Sequence, residues 1–197
     1  MRYEPWPQTS GTAVRVIAGS AKGRRLRAPR GLDVRPTSDR VREALFASLG
    51  DHIPGASALD LFAGSGALGI EALSRGALRA VLVERNPRAV AVIVENLART
   101  GLAGRARVVR DDVARFCRTP GSSFDVVLVD PPYLLGTPEV YALLGDLVAA
   151  GGLVRNGVVV VERDRRDPTS AAPAPLGLAL ARTATYGDTV LHYLTMS

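Results

Sequence analysis

From residue 57 onward the chain alternates short apolar runs with helix-like stretches, and this alternation constrains the fold more than any other feature. The runs "ALDLFA", "AVLVE", "ARVVRDD", "DVVLVD" and "GVVVVE" are short and mostly rich in β-branched or aliphatic residues. That is the pattern of strands covered on both faces. Between them, segments through "IEALSRG", "AVAVIVENLARTG" and "YALLGDLVAAG" carry apolar residues at helical spacing. Five strands joined through helices imply a parallel, doubly wound α/β sheet. The tail "LALARTATYGDTVLHYLTM" reads as two strands around "YGD", a late antiparallel hairpin, and "DPTSAAPAPLG" before it reads as a Pro/Ala-rich loop. The expected fold class is therefore α/β, a mostly parallel, doubly wound sheet flanked by helices with a C-terminal antiparallel hairpin. At 197 residues, this fits one domain with an appendage.

The appendage is expected at the N-terminus. Residues 1–13, with Pro5, Pro7 and Gly11 and no apolar periodicity, read as a flexible leader. Residues 14–50 follow as a basic hairpin and helix, and 51–197 as the main domain. "VRVIAG" and "RRLRAP" flank "SAKG" as a hairpin whose tip carries Lys22, Arg24 and Arg25. In "RPTSDRVREALFASLG", Thr37, Ser38 and Asp39 are N-cap candidates, Val41, Leu45 and Leu49 form the apolar stripe, and Gly50 stops the helix. Arg40 and Arg42 fall off that stripe. The net charge of +6 resides here: residues 1 to 50 hold ten cations against four acids, leaving fifteen of each in the rest. Such an asymmetric basic segment suits a polyanionic partner. Of the 25 cations 24 are Arg, a bias that a GC-rich genome would also produce.

"LDLFAGSGALGIEAL" places Gly64, Gly66 and Gly69 in G-x-G-x-x-G spacing, after a strand and at the start of a helix. Glycines allow close backbone approach to a ligand, and the helix start offers unpaired amides. That spacing alone fits a dinucleotide fold as well as a nucleoside site. Glu84, twenty residues past Gly64, matches the acid that accepts ribose hydroxyls in either case. Asp60, just before the turn, suits a ligand with an amino or sulfonium cation and suits a pyrophosphate poorly. "VVRDDV" adds Asp111 and Asp112 as acceptors for an adenine amino group, with Asp112 preferred because an apolar residue follows it.

"DVVLVDPPY" then sets two prolines directly after a buried run. Pro131 and Pro132 have no N–H to donate, so the strand must end there. The result is a stiff corner presenting Asp130, bare carbonyls and Tyr133 at the carboxyl end of a strand, where open α/β sheets bind ligands. The Asp130 carboxylate and the Pro131 carbonyl can each accept one hydrogen of an exocyclic base amino group, freeing its delocalised lone pair. Pro132 keeps that carbonyl rigid, a form of electrostatic preorganisation. Tyr133 offers a ring for an extruded base. A sulfonium methyl could then be transferred in line, with positioning supplying much of the rate.

Other chemistries lack residues. One cysteine, Cys117, excludes an internal disulfide, and with His52 and His192 it gives no zinc spacing. Cys117 falls in a helix-like segment and reads as a packed or exposed thiol, not a nucleophile. No run approaches a membrane span and the N-terminus lacks a signal-peptide core. A cytoplasmic location is expected, with no metal and no membrane.

"LDLFAGSGALGIEALSRGA" with "DPPY" resembles the Rossmann-like (class I) S-adenosylmethionine-dependent amino-methyltransferases. With "RVIAGSAKGRRL" and "RPTSDRVREALF" added, the chain is similar to the bacterial 16S ribosomal RNA guanine-N2 methyltransferase family from about residue 14 to the tail. The resemblance implies that S-adenosylmethionine is contacted by Asp60, Gly64, Gly66, Gly69, Glu84 with Arg85, and Asp112 with Val113, leaving S-adenosylhomocysteine as product. It implies a catalytic corner of Asp130, Pro131, Pro132 and Tyr133. It also implies RNA contacts from the hairpin around Lys22, Arg24 and Arg25, with 16S rRNA or the small ribosomal subunit as partner; Arg27, Arg35, Arg40 and Arg42 are expected to add to them, and a monomer is the default expectation. A DNA amino-methyltransferase and a noncatalytic nucleic-acid-binding module are the alternatives. The first is disfavoured because no target-recognition insertion follows Tyr133, and the second by the intact Asp130 and glycine loop.

Overall fold

The computed structural model describes residues 14–29, 38–132 and 134–196. The leader 1–13, Arg35, Thr37 and Tyr133 lie outside the described residues. Among the described residues, seven strands form one sheet in the order β3-β2-β1-β4-β5-β7-β6: β1 Ser57–Leu61, β2 Arg79–Glu84, β3 Ala106–Arg110, β4 Phe124–Val129, β5 Leu153–Asp164, β6 Leu178–Tyr186 and β7 Thr189–Met196. The first five pair in parallel and β7 joins β5 antiparallel, with β6 at the edge. The order reverses at β1, so β1 and β4 flank the switch point at which such sheets bind ligands. The expected parallel sheet with its terminal hairpin is the sheet observed. β5 is longer than "GVVVVE" suggests. It starts at Leu153, has Asn156 at φ +67, and pairs with β4 irregularly between Phe124 and Val126.

Among the described residues, five helices cover the sheet: α1 Asp39–Leu49, α2 Ala67–Ser74, α3 Pro87–Thr100, α4 Val113–Arg118 and α5 Thr137–Ala149. One core cluster joins α1, α2 and α3 to Val126, Leu128 and Val160, and the other joins α4 and α5 to Val127, Val129 and Val161. Alternate residues of β4 thus serve opposite faces, as a central strand requires. Local chemistry fixes the helix ends. The Ser38 hydroxyl accepts from the Val41 N–H, and Gly50 ends α1 at φ +43. Asn86 caps α3, which opens on Pro87 and closes on Gly101 at φ +74.

Residues 14–29 form the expected hairpin, held by an Arg15–Arg25 bridge and by Val16 N–H to Arg24 O and Leu26 N–H to Val14 O. Its apolar residues Val14, Val16, Ala21 and Leu26 enter the first core together with Val41, Leu45 and Phe46. Polar groups on α2 and α3 lock it down. Glu71, 1% exposed, accepts from the Ile17 and Ala18 amides, Ser74 holds Ala18 and Ala21, and Asn96 bonds both the amide and the carbonyl of Arg27. A side chain at Gly19 would collide with the Ser74 carbonyl, so only glycine allows this approach.

Candidate active site

Register places the site. Leu61 is level with Val83 on β2 and Val129 on β4, so Phe62, Glu84 and Asp130 emerge side by side at the carboxyl edge. There the chain turns from β1 into α2. Phe62 adopts φ +62, uncommon for a bulky residue, and Gly64 and Gly66 follow at φ +55 and +80. A side chain on Gly66 would press on Leu82, Ile70 and Ile93, and one on Gly69 would sit 2.8 Å from Leu82 Cδ2 and 3.1 Å from Asp60 Oδ2. The last two glycines of the motif thus let α2 lie against β2. Gly64 is different: its nearest neighbour at that position is the Phe62 carbonyl at 3.9 Å, which leaves room above the turn.

Glu84 ties this turn to the next one. Its Oε2 accepts from the Gly64 N–H at 3.0 Å and its Oε1 from the Asn86 N–H at 2.8 Å. Each oxygen keeps a lone pair for a further donor such as a ribose hydroxyl. Asp60 is 1% exposed and accepts from the Gly69 N–H at 2.8 Å. Burial pushes its carboxyl up to about 8, the Gly69 hydrogen bond opposes this, and the Asp130 and Glu84 charges raise it further. Three carboxyl groups therefore share one electrostatic neighbourhood, which favours a cationic ligand and repels a pyrophosphate.

The two acids after β3 have separate partners. Asp112 caps α4, with Oδ1 accepting from the Ala114 N–H at 2.9 Å, whereas Asp111 Oδ1 accepts from the Asp112 N–H and pairs with Arg115. Val113 is buried beside Asp112, and Arg85 is exposed just past β2. At the corner, Asp130 is partly buried, Pro131 is buried and Pro132 is exposed. The Pro132 carbonyl accepts from the Leu135 N–H at 2.9 Å, closing a turn with Leu134 fully exposed. These residues fit a nucleoside carrying a cation: an open turn, a carboxylate with spare lone pairs and a buried acid beneath.

The basic residues are distributed differently from the sequence expectation. Arg42 is 1% exposed, so its assignment as an RNA contact is corrected. Its Nη2 donates to the Arg15 carbonyl and to Asp39, while its Nε has no hydrogen-bond partner among the described residues. Burial lowers its pKa, and the Asp39 charge partly offsets this. The hairpin tip lies against Ser74 and the carbonyl of Arg99, at the C-terminal ends of α2 and α3. Those ends face the amino edge of the sheet, so Lys22 and Arg24 stand at the opposite end from the proline corner. Arg25 and Arg40 are exposed, and Arg27, also exposed, pairs with Glu95. Cys117 is packed in α4 and burial pushes its thiol up to about 12, which removes it as a nucleophile.

The sequence reading missed a polar cluster beside the corner. Arg163 at the end of β5, 4% exposed, sends Nη2 to the Leu135 carbonyl at 2.6 Å and both Nε and Nη2 to Asp167. Asp167 also accepts from the Thr137 hydroxyl and from the Thr169 N–H and hydroxyl. The signal available was "RDRRDPTS", which reads as a charged strand end and a Pro/Ala loop.

Among the described residues no His/Cys/Asp/Glu group has the arrangement of a metal site, and no helix is long and apolar enough to cross a membrane. The family model described as conserved hypothetical protein 95 matches residues 14–195. Ribosomal RNA small subunit methyltransferase D of Escherichia coli K12 is 40% identical over 180 residues, covering 90% of this chain and 89% of that protein. The same-named Haemophilus influenzae protein is 35% identical, covering 79% and 81%. The solved Escherichia coli protein yhhF superposes with a TM-score of 0.79 at 37% identity, covering 94% of this chain and 98% of that one. With its fold and sequence matched over nearly its whole length, the chain belongs to the conserved hypothetical protein 95 family, that of the bacterial small-subunit ribosomal RNA methyltransferases.

Proposed function

We propose that this protein methylates the exocyclic N2 of a guanine in 16S ribosomal RNA of the small subunit, using S-adenosylmethionine. The observation that carries the reading is the gathering of three acids at the switch point, Glu84 and Asp130 level at the ends of β2 and β4 and the buried Asp60 two residues below them on β1, with Asp130 leading directly into two prolines. Such a site favours a cationic cofactor and an amino-group acceptor together. The relatives' names support ribosomal RNA as the substrate class. On this reading the protein works in the cytoplasm, as a monomer acting on a subunit or an assembly intermediate.

In the proposed reaction, Glu84 accepts from ribose hydroxyls, Asp112 accepts from the adenine amino group, and the open turn at Gly64 lets the cofactor lie close to the backbone. The bound cofactor supplies an activated methyl on a sulfonium. Asp130 and the Pro131 carbonyl accept the two hydrogens of the guanine amino group, which concentrates the nitrogen lone pair opposite the methyl. The sulfonium would give its methyl to the nitrogen and leave as the neutral thioether, and Asp130 would take the surplus amino proton and pass it to solvent. Tyr133 stacks on the extruded base. Exposed cations, Arg25, Arg27 and Arg40 among them, contact RNA phosphates and set register without reading sequence. Lys22 and Arg24, at the distal end, are assigned only peripheral phosphate contacts.

Asp130→Ala tests the division of roles. Turnover should fall by about a hundredfold or more while cofactor affinity stays within a few-fold, as expected for a group acting mainly in the transition state. Equal losses of affinity and turnover would refute the assignment.

A further inference from the structure

In the turn after the proline corner, Pro132 is exposed and Leu134 fully exposed, while Leu135 packs, partly buried, against the second core. Polar contacts then hold the backbone at Leu135, and they can be followed one by one. The Pro132 carbonyl accepts from the Leu135 N–H at 2.9 Å, and the Leu135 carbonyl accepts from Arg163 Nη2 at 2.6 Å. Asp167 holds that guanidinium through two of its nitrogens and binds the Thr137 hydroxyl at 2.9 Å. Thr169 closes the ring, donating twice to Asp167 while its hydroxyl accepts from the Thr137 N–H at 2.9 Å. Arg163, Asp167 and Thr137 are nearly enclosed, with side-chain exposures of 3% and 10% for the ion pair and a buried threonine. The turn therefore has a fixed end at α5 and a fixed carbonyl at Leu135, two residues beyond the catalytic motif.

We propose that Arg163 and Asp167 form a positioning clamp that holds the turn after the proline corner, and with it the carbonyl that receives the substrate amino group, in reactive geometry. The proposal rests on the methyl-transfer reading above. Neither residue touches cofactor or base; both act through Leu135 and Thr137. A bidentate pair fits this task because a guanidinium held by two bonds cannot swivel, so the third bond to Leu135 has a fixed direction. Burial tends to raise the Asp167 carboxyl, but hydrogen bonds from Thr169, Arg163 and Thr137 outweigh it and hold the group well below the usual carboxylate range. The clamp thus stays charged through the physiological range.

The test uses the full chain with Asp167→Asn, Arg163→Lys and the pair Thr137→Ser and Thr137→Val. Methyl transfer to small subunits, cofactor affinity by calorimetry and hydrogen exchange over residues 132–139 are read together. Asp167→Asn and Thr137→Val should lower kcat about tenfold, the scale of a slight misplacement of a reacting group, with cofactor affinity within twofold. Exchange in the turn should quicken while β1 to β4 stay protected. Arg163→Lys should behave likewise, and Thr137→Ser, which keeps the hydroxyl, should restore turnover. If Arg163→Lys does not fold, the threonine pair decides. The clamp is overturned if turnover survives in Thr137→Val, if Ser and Val lose activity equally, or if the loss lies in cofactor affinity. Failure of the wild type to methylate any subunit would refute the function instead. Turn exchange would then judge the clamp separately, and unchanged exchange in Asp167→Asn would overturn it.

Discussion

Binding of a cationic cofactor should expel a proton from Asp60. This carboxyl is 1% exposed and burial, with the Asp130 and Glu84 charges, raises it to about 8. At pH 7 it is therefore about nine-tenths protonated. An amino group or sulfonium brought beside it favours the charged form. If the cation lowers the group by about two units, protonation at pH 7 falls to about one-tenth, so about 0.8 proton leaves. The corresponding coupling is about 2.7 kcal/mol, and cofactor affinity should rise with pH between about 6 and 8. Calorimetry in buffers of different ionisation enthalpy measures the released proton directly, and Asp60→Asn, which keeps an acceptor for the Gly69 N–H, should abolish it. The free protein has a matching signature. Because the folded Asp60 pKa lies above its unfolded value of 3.8, the folded state binds the proton more tightly, and stability falls as pH rises from about 4 to about 8. Asp60→Asn should flatten that slope and raise stability at pH 7 by as much as about 4 kcal/mol. Release below about 0.2 proton, or equal release in Asp60→Asn, would refute the reasoning; both bounds follow from the same titration arithmetic.

Glu84→Gln leaves one side-chain oxygen for two backbone donors and removes the charge; cofactor Kd should rise about tenfold or more with kcat at saturation little changed, read by calorimetry and steady-state kinetics. Gly69→Ala forces a methyl against Leu82 and Asp60 and should cost about 1–3 kcal/mol in urea unfolding, without a change in slope. Replacing Arg25 and Arg40 together by Ala should lower the salt dependence of RNA binding by about 0.7 for each phosphate no longer neutralised. Unchanged salt dependence would remove those residues from the interface.

Much of the fold was legible because local chemistry and global position agree. Val126 to Val129 read as a doubly covered strand and are the centre of the sheet, and Ser38, Gly50, Asn86 and Gly101 end helices in their usual ways. The glycine spacing marks the turn, although it does not separate the packing glycines 66 and 69 from Gly64, which leaves ligand space. Arg42 escapes the pattern because a charge off an apolar stripe ordinarily faces solvent; here the hairpin covers that side and supplies the Arg15 carbonyl as a partner. The hairpin itself was legible, but not the direction of its tip, which depends on Glu71, Ser74 and Asn96 more than fifty residues away. The Arg163 cluster stayed hidden for a related reason. Its bonds join residues up to 32 apart across a loop with no periodicity, and such long-range polar satisfaction leaves little trace in a sequence pattern.

The central claim is the chemistry at Asp130 and its base. Small ribosomal subunits from cells lacking this protein should accept labelled methyl from S-adenosylmethionine, and nucleoside mass spectrometry should then find N2-methylguanosine in the 16S RNA. N6-methyladenosine would keep the proline corner but contradict the base, while no transfer to subunits or their assembly intermediates, despite measured cofactor binding, would contradict the account.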